Sequence, residues 1–367
     1  MTKSEFHGGS AYYRTVGGDF SKLKDYDKTI DADGLDAWFD PSPKAINKVK
    51  EFLPLLLKKT PPSHGQGLVR VLAARRGLSP ENIITAGGSS DIMFGFFPNM
   101  LKKGDKVLIL DPMYGEYAHI FQNVLRLKVF RHKLYGSEGF KINPERLKQD
   151  IVKVKPKIVV LVNPNSPTGQ YLRTSEIIKL AKTLPRVMFV VDETYIEYVG
   201  EKKSLEKLAT RINNLVIMKS MSKVYALSGA RVGYLVASRK TIEKVKPFFP
   251  PWAVSLIGQI AAIEALKDKK YYKNKYLQTH RLRDAMIKSL RQIERIEVFN
   301  SVGNFFLVNL KAESLSAKKI ISQLEDRGVF LRNCDSMGLQ FHDDYIRIAV
   351  RDKKSNDRIV SSLKRCL

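Results

Sequence analysis

The chain has 367 residues, 44% of them hydrophobic, enough for one large apolar core with a smaller domain beside it. Its 63 Lys and Arg against 37 Asp and Glu give a formal net charge of +26, a field that draws anionic partners. No stretch approaches the roughly 20 apolar residues of a membrane span, the first residues lack the apolar run of a secretory signal, and two cysteines, Cys334 and Cys366, are too few for a disulfide framework, so a cytoplasmic globular protein is expected.

Residues 1–40 are polar, rich in Gly and Asp, and weakly periodic. They read as an N-terminal arm that wraps the body. Residues 43–58 read as a helix despite Pro54. From about 68 to 240, helical spacing alternates with short apolar runs, the pattern of an α/β fold with a mostly parallel sheet and crossover helices. The strands are expected at 82–85, 106–110, 127–131, 158–162, 187–191, 215–218 and 232–236. Residues 246–252 (Lys-Pro-Phe-Phe-Pro-Pro-Trp) break this pattern and read as a hinge. One long helix is then expected over about 258–292. Strands at 305–309, 329–331 and 345–349, with helices near 316–327 and 355–365, complete an α+β end domain. The division is an arm over 1–40, a large domain over 41–250 and a small domain over 251–367.

The basic residues are spread in pairs, among them Lys58-Lys59, Lys102-Lys103 and Lys269-Lys270. There is no long basic block, no Cys/His pattern for a metal, and no interleaving of aromatic and basic residues of the kind that binds nucleic acid. Neither a metal nor a nucleic acid is the expected partner.

The chemistry gathers where strands end. Ala86-Gly87-Gly88-Ser89-Ser90-Asp91 opens a helix, whose free N–H groups suit an anion. Tyr114, after the strand at 106–110, offers a flat ring for stacking. Asn163-Pro164-Asn165-Ser166-Pro167-Thr168-Gly169 follows the strand at 158–162. Asp192 sits past the strand at 187–191, where open α/β sheets bind ligands. A carboxylate there can keep a pyridine nitrogen protonated and make the ring an electron sink. Tyr195, three residues on, can donate to an oxygen on that ring. Ser220-Met221-Ser222-Lys223 then places an amine at a strand end, where partial desolvation frees its lone pair for imine formation. Arg231, with the serine hydroxyls, supplies donors for a phosphate. Arg332 follows a short apolar strand. Arg347 sits within an alternating one, where an inward charge calls for an anionic partner.

These motifs, in this order over nearly the whole chain, resemble the fold-type-I pyridoxal-phosphate enzymes of aminotransferase class I/II. The resemblance implies pyridoxal 5'-phosphate as cofactor, Lys223 as the lysine that binds it, Asp192 at its ring nitrogen, and Tyr195 at its 3'-oxygen. It also implies Tyr114 as the stacking ring, and Ser89, Ser90, Ser220, Ser222 and Arg231 around the phosphate. The family has Asn immediately before Pro-Thr-Gly. Here that position is Ser166, so either Asn165 takes the contact from one position earlier or Ser166 makes a weaker one.

The phrase from Leu331 to Leu339 and the stretch Tyr345–Arg351 resemble the subgroup of histidinol-phosphate aminotransferase and threonine-phosphate decarboxylase. The resemblance implies that Arg332 and Arg347 hold the carboxylate and phosphate of a substrate. His7-Gly8-Gly9 resembles the decarboxylase N-terminus, which implies His7 at the substrate. The implied activity is transamination of a small phosphorylated or acidic amino compound with a 2-oxo acid. Decarboxylation of an O-phospho amino acid is the alternative. A non-catalytic nucleic-acid-binding protein of this fold is more remote, because the chain leaves no room for a helix-turn-helix segment. A homodimer is implied as well. Thr60-Pro61 lacks the tyrosine that subgroup members contribute across the subunit interface, and Thr60 or His64 could stand in for it.

Overall fold

The computed structural model describes residues 10–312 and 314–367. Its strands in chain order are β1 (Ile30–Asp31), β2 (Ile83–Ala86), β3 (Lys106–Asp111), β4 (Lys128–Lys133), β5 (Ile158–Val162), β6 (Met188–Asp192), β7 (Leu215–Ser220), β8 (Gly233–Val236), β9 (Ile296–Val298), β10 (Phe305–Leu310), β11 (Val329–Phe330), β12 (Arg332–Asn333) and β13 (Tyr345–Ala349). Seven form a sheet in the order β2-β8-β7-β6-β5-β3-β4. All its pairings are parallel except those of β8, which runs antiparallel to both β2 and β7. Every residue of β5 and β7 is buried. Helices cover both faces of this sheet, which is why its central strands read as unbroken apolar runs rather than as alternation.

The antiparallel strand decides where the chemistry goes. Ser220 at the end of β7 pairs with Gly233 at the start of β8. The intervening loop therefore leaves and re-enters the sheet at one edge, where the parallel strands also end. Gly233 lies directly against the start of the helix Ser89–Met100. A Cβ there would sit 2.7 Å from the Gly88 carbonyl carbon and 2.9 Å from the Ser89 nitrogen. Two separate turns thus meet with nothing between them.

A second, antiparallel sheet has the order β12-β13-β10-β9. The helices Ala317–Glu325 and Lys353–Cys366 pack against each other beside it. β1 pairs in parallel with β11. This alters the reading of residues 1–40, because from Ile30 onward the segment is built into the C-terminal part of the molecule. The helix at 43–58 forms as expected, as Pro43–Lys58, with Ser42 accepting from the Ala45 N–H at its start. The long helix expected over 258–292 is two, Leu256–Lys267 and Lys269–Leu290, because Asp268 leaves helical geometry between them. The first is apolar nearly all round and packs against Pro43–Lys58 and Gln66–Arg76. The second is rich in Lys and Tyr and packs against Lys353–Cys366.

A buried ionic network braces β7 from behind. Lys219 Nζ donates to Glu197 Oε1 at 2.7 Å and lies 3.7 Å from Glu193 Oε2. Arg76 donates to the same Glu197 oxygen at 2.9 Å, and its Nε lies 3.7 Å from Glu206. The Leu205 N–H and Ser204 hydroxyl donate to Glu193 at 2.7 and 2.5 Å. Three buried carboxylates face two buried cations, so the balance favours a proton on one acid. Burial, together with the charge of Glu206, pushes the Glu193 carboxyl up to about 7 against the pull of Lys219.

This packing leads to two expected outcomes. Gly233→Ala forces a methyl group into backbone, and its melting temperature is expected to fall by an amount matching about 1–3 kcal/mol of overpacking. For Glu193, the folded chain keeps a proton that the unfolded chain releases near 4.5. The unfolded state then binds fewer protons than the folded one between about pH 4.5 and 7, so this group lowers stability as pH rises through that window. Glu193→Gln is expected to flatten that slope in denaturant titrations taken across the same range.

Candidate active site

The strand ends enclose a cavity of about 240 Å³, room for a small molecule. Its lining draws on segments far apart in the chain: Ser89 and Ser90, Tyr114, Ser166, Asp192 and Tyr195, Ser220, Ser222, Lys223 and Arg231, Arg332 and Arg347, and the run Gly34–Asp36.

One end is a cradle for an anion. The helix Ser89–Met100 presents its N-terminal N–H groups here, and Ser89, Ser90, Ser220 and Ser222 add hydroxyls. Arg231 holds a left-handed backbone, φ 53°, and its Nη1 donates to the Ser228 carbonyl at 3.1 Å. Its guanidinium lies over Gly88, whose φ is 98° and where a Cβ would stand 2.6 Å from Arg231 Nη2. A side chain at position 88 would fill the space that the arginine crosses.

Asp192 ends β6, buried, with both oxygens engaged. Oδ1 accepts from the Thr194 N–H and hydroxyl at 2.9 and 2.6 Å. Oδ2 accepts from the Tyr117 hydroxyl at 2.8 Å. Burial pushes its carboxyl above the usual range, opposed by these hydrogen bonds and by the charge of Lys219. An acid held this way strongly favours a cationic N–H facing it. Tyr114 lines the same wall, and burial pushes its phenol up to about 12. Tyr195 packs edge-on against Phe305 with centroids 5.0 Å apart, and burial raises its phenol well above the ordinary value.

The opposite wall carries two arginines. Arg332 on β12 and Arg347 on β13 face each other in register. Like charges directly opposite on paired strands repel, so the wall suits an anion between or beside them. Asp33 answers part of this, 3.7 Å from Arg332 Nη1. Arg347 donates to Ser166 Oγ at 3.1 Å and to the Asp33 carbonyl at 2.8 Å, while its buried Nε has no hydrogen-bond partner among the described residues. Burial lowers its hold on the proton.

Lys223 reaches into the middle. Its Nζ donates to Asp36 Oδ1 at 2.5 Å, and the Ser228 hydroxyl donates to the same oxygen at 2.5 Å. Burial works against the Asp36 charge, but Lys223, Ser228 and Arg351 together hold its carboxyl below the usual range.

The cavity brings together Ser89, Ser90, Tyr114, Asp192, Tyr195, Ser220, Ser222, Lys223, Arg231, Arg332 and Arg347. Asn165 stands apart from this group: it is fully buried, and its Nδ2 donates to the Pro112 carbonyl and the Thr168 hydroxyl, each at 3.0 Å, locking the turn, while its buried Oδ1 has no hydrogen-bond partner among the described residues. Ser166 takes the place in the wall instead. His7 lies outside the described residues. Sequence pattern misses two residues of the site. Tyr117, the partner of Asp192, stands one helical turn after Tyr114, and that spacing is a usable signal. Asp36 sits in a stretch with three other aspartates and no periodicity, so nothing local distinguishes it.

Comparison with known proteins adds a family. The family model for aminotransferase class I and II matches residues 36–363. The chain is 31% identical to histidinol-phosphate aminotransferase 2 of Archaeoglobus fulgidus over 300 residues, covering 81% of each chain. It also resembles the solved structure of the histidinol-phosphate aminotransferase from Clostridium acetobutylicum, with a TM-score of 0.82 and 26% identity over 92% of this chain and 98% of that one. The L-threonine-O-3-phosphate decarboxylase from Porphyromonas gingivalis has a TM-score of 0.76 and 22% identity over 92% and 98%, a likeness of fold alone.

Proposed function

The chain belongs to the aminotransferase class I and II family, and from that premise we propose that it is a pyridoxal-phosphate-dependent aminotransferase for a small phosphorylated amino compound, histidinol phosphate being the first to test. One observation carries this reading: an amine, a buried carboxylate and an anion cradle, from three separate strand ends, share one cavity with a pair of arginines across it.

The residues fit the cofactor. Lys223 would hold its aldehyde, Asp192 its ring nitrogen, Tyr195 and Ser166 its ring oxygen, and Tyr114 its face. Ser89, Ser90, Ser220, Ser222 and Arg231 would hold its phosphate, and the bare side of Gly88 leaves room for Arg231 to close over that end. When bound, the cofactor supplies an electron sink for charge developing on the substrate carbon.

The protein does the rest. Tyr117 and Thr194 fix Asp192 so that its charge faces one way. Lys223 is the base within reach of the cavity centre, able to take a proton from one carbon and return it to another. Arg332 and Arg347 fix the far end of the substrate by its anionic group. That decides which bond at the reacting carbon stands where Lys223 can serve it. The positive surface field speeds the arrival of anionic substrates.

A homodimer in the cytoplasm belongs to the same reading. The helix Pro43–Lys58 turns Leu53, Leu55 and Leu57 outward, and Phe94, Phe248 and Trp252 are also exposed, a supply of apolar surface suited to a second copy. Both cysteines are free, and among the described residues no helix is long and apolar enough to cross a membrane.

Reconstitution with pyridoxal phosphate is expected to give a visible absorbance band, reducible by borohydride, that Lys223→Ala lacks. Turnover in that variant should fall by a factor on the order of 10²–10⁴, the usual contribution of a positioned acid–base group. Histidinol phosphate and O-phosphothreonine, each offered with 2-oxoglutarate, decide the reaction. Consumption of the 2-oxo acid is the expected result. Release of CO₂ without it would overturn the transaminase reading in favour of a decarboxylase.

A further inference from the structure

Residues 32–36 form a strap whose backbone is pinned at every carbonyl from the C-terminal part of the chain. The Ala349 N–H donates to the Ala32 carbonyl at 3.0 Å. Arg347 donates to Asp33 at 2.8 Å, and Asn304 to Leu35 at 3.0 Å. Arg351 donates to Gly34 at 2.6 Å and to Asp36 at 2.8 Å. A segment held this way has little freedom to choose where its last side chain goes. That side chain is Asp36, which crosses to the loop of the other sheet and meets Lys223 and Ser228.

Among the described residues two carboxylates line the cavity, Asp36 and Asp192. Asp192 is buried, held by Tyr117 and Thr194, and on the proposed function is taken up by the cofactor's ring nitrogen. Asp36 is 48% exposed at its side chain and faces open cavity space. In the structure it holds a primary ammonium, that of Lys223, at 2.5 Å. On the function proposed above, a substrate amine exchanges places with the Lys223 amine, so the two nitrogens visit the same small region. A carboxylate set to receive one primary ammonium there is set to receive the other.

We propose that Asp36 is the docking residue for the substrate's ammonium group, receiving it beside Lys223 while the two arginines of the facing wall hold the substrate's anionic end. The inference deepens the proposed function and rests on it. It names the ligand class of this subsite as a primary ammonium. The strap also explains why the subsite is rigid: the arginine that binds the Asp33 carbonyl is one of the two that face the anion, so both ends of a substrate are read from a single pinned frame.

The probes are L-glutamate and 2-oxoglutarate, which share a skeleton and differ in bearing an ammonium or a carbonyl at one carbon. Binding to the cofactor-loaded protein is read from the change in its visible band. Asp36→Asn is expected to weaken L-glutamate about tenfold or more, the contribution of one charge-assisted hydrogen bond, and to change 2-oxoglutarate by less than about twofold. Asp36→Glu keeps the charge and is expected to recover part of the loss. The unloaded protein gives a reading independent of turnover. Labelling of Lys223 by an amine-directed acylating reagent, followed by peptide mass spectrometry, should rise in Asp36→Asn because the ion pair no longer competes. Equal weakening of both probes points to a merely structural role and overturns the inference, as does unchanged binding of L-glutamate or unchanged labelling. A wild-type protein that develops no visible band overturns the functional reading itself, and this inference with it.

Discussion

The close approach of Gly233 to the Gly88–Ser89 turn organises the whole site. It is possible only because β8 runs against its neighbours, so that the loop bearing Lys223 and Arg231 returns to the edge where the helix Ser89–Met100 begins. Two glycines act as one joint here. Gly233 lets backbone touch backbone, and Gly88, at φ 98°, lets the Arg231 guanidinium cross above it. A side chain at either position would press on the joint between the helix Ser89–Met100 and the loop that bears the lysine. Asp192 comes to the same edge by a simpler route, since β6 is the parallel neighbour of β7 and the two end together.

Most of this was legible in the sequence because it depends on local pattern. Buried parallel strands announce themselves as apolar runs, and the residues just past each run must lie at one edge of the sheet. That is enough to collect Ser89, Tyr114, Asp192 and Lys223 without knowing the strand order, whereas Arg231, which precedes its strand, reaches the same edge because β8 is antiparallel. The same reasoning fails wherever a neighbour distant in sequence decides. Asp268 divides a helix that apolar spacing presents as continuous, because the two halves pack on different partners. Asn165 and Ser166 are adjacent, and which faces the cavity depends on the turn's own hydrogen bonds to Pro112 and Thr168. Asp36 is the extreme case. Its place is set by carbonyl contacts to Arg351, Arg347 and Asn304, residues near the other end of the chain, and side-chain donors to backbone leave no periodic trace.

The charges of the molecule divide by location. The surplus of basic residues is a matter of the surface, while the interior behind β7 tends the other way, with Glu193, Glu197 and Glu206 around Arg76 and Lys219. Lys219 and Lys223 are close neighbours in sequence and have opposite circumstances. Lys219 is buried among carboxylates, whose charge holds it protonated against the cost of burial. Lys223 is 26% exposed at its side chain and pairs with the carboxylate of Asp36. A buried network fixes geometry well and makes a poor nucleophile, because its ammonium cannot easily leave its partners. A single, half-exposed partner lets an amine go. On the proposed function, the chain keeps one lysine as structure and presents the other for chemistry.

Across the cavity the same logic applies to the arginines. Arg332 and Arg347 are brought into register by the pairing of β12 with β13, an arrangement of like charges that favours an anion beside them. Asp33 relieves it from 3.7 Å, and the Arg347 Nε is buried with no hydrogen-bond partner among the described residues. A wall left with this unsatisfied attraction binds an anion more tightly than one already neutralised, since little has to be broken first. The strap that supplies Asp33 to this wall supplies Asp36 to the lysine three residues later. Over that short span the backbone sets an anion-seeking surface and a cation-seeking one on either side of one cavity, which is the polarity required of a site for a compound that is an ammonium at one end and a phosphate at the other.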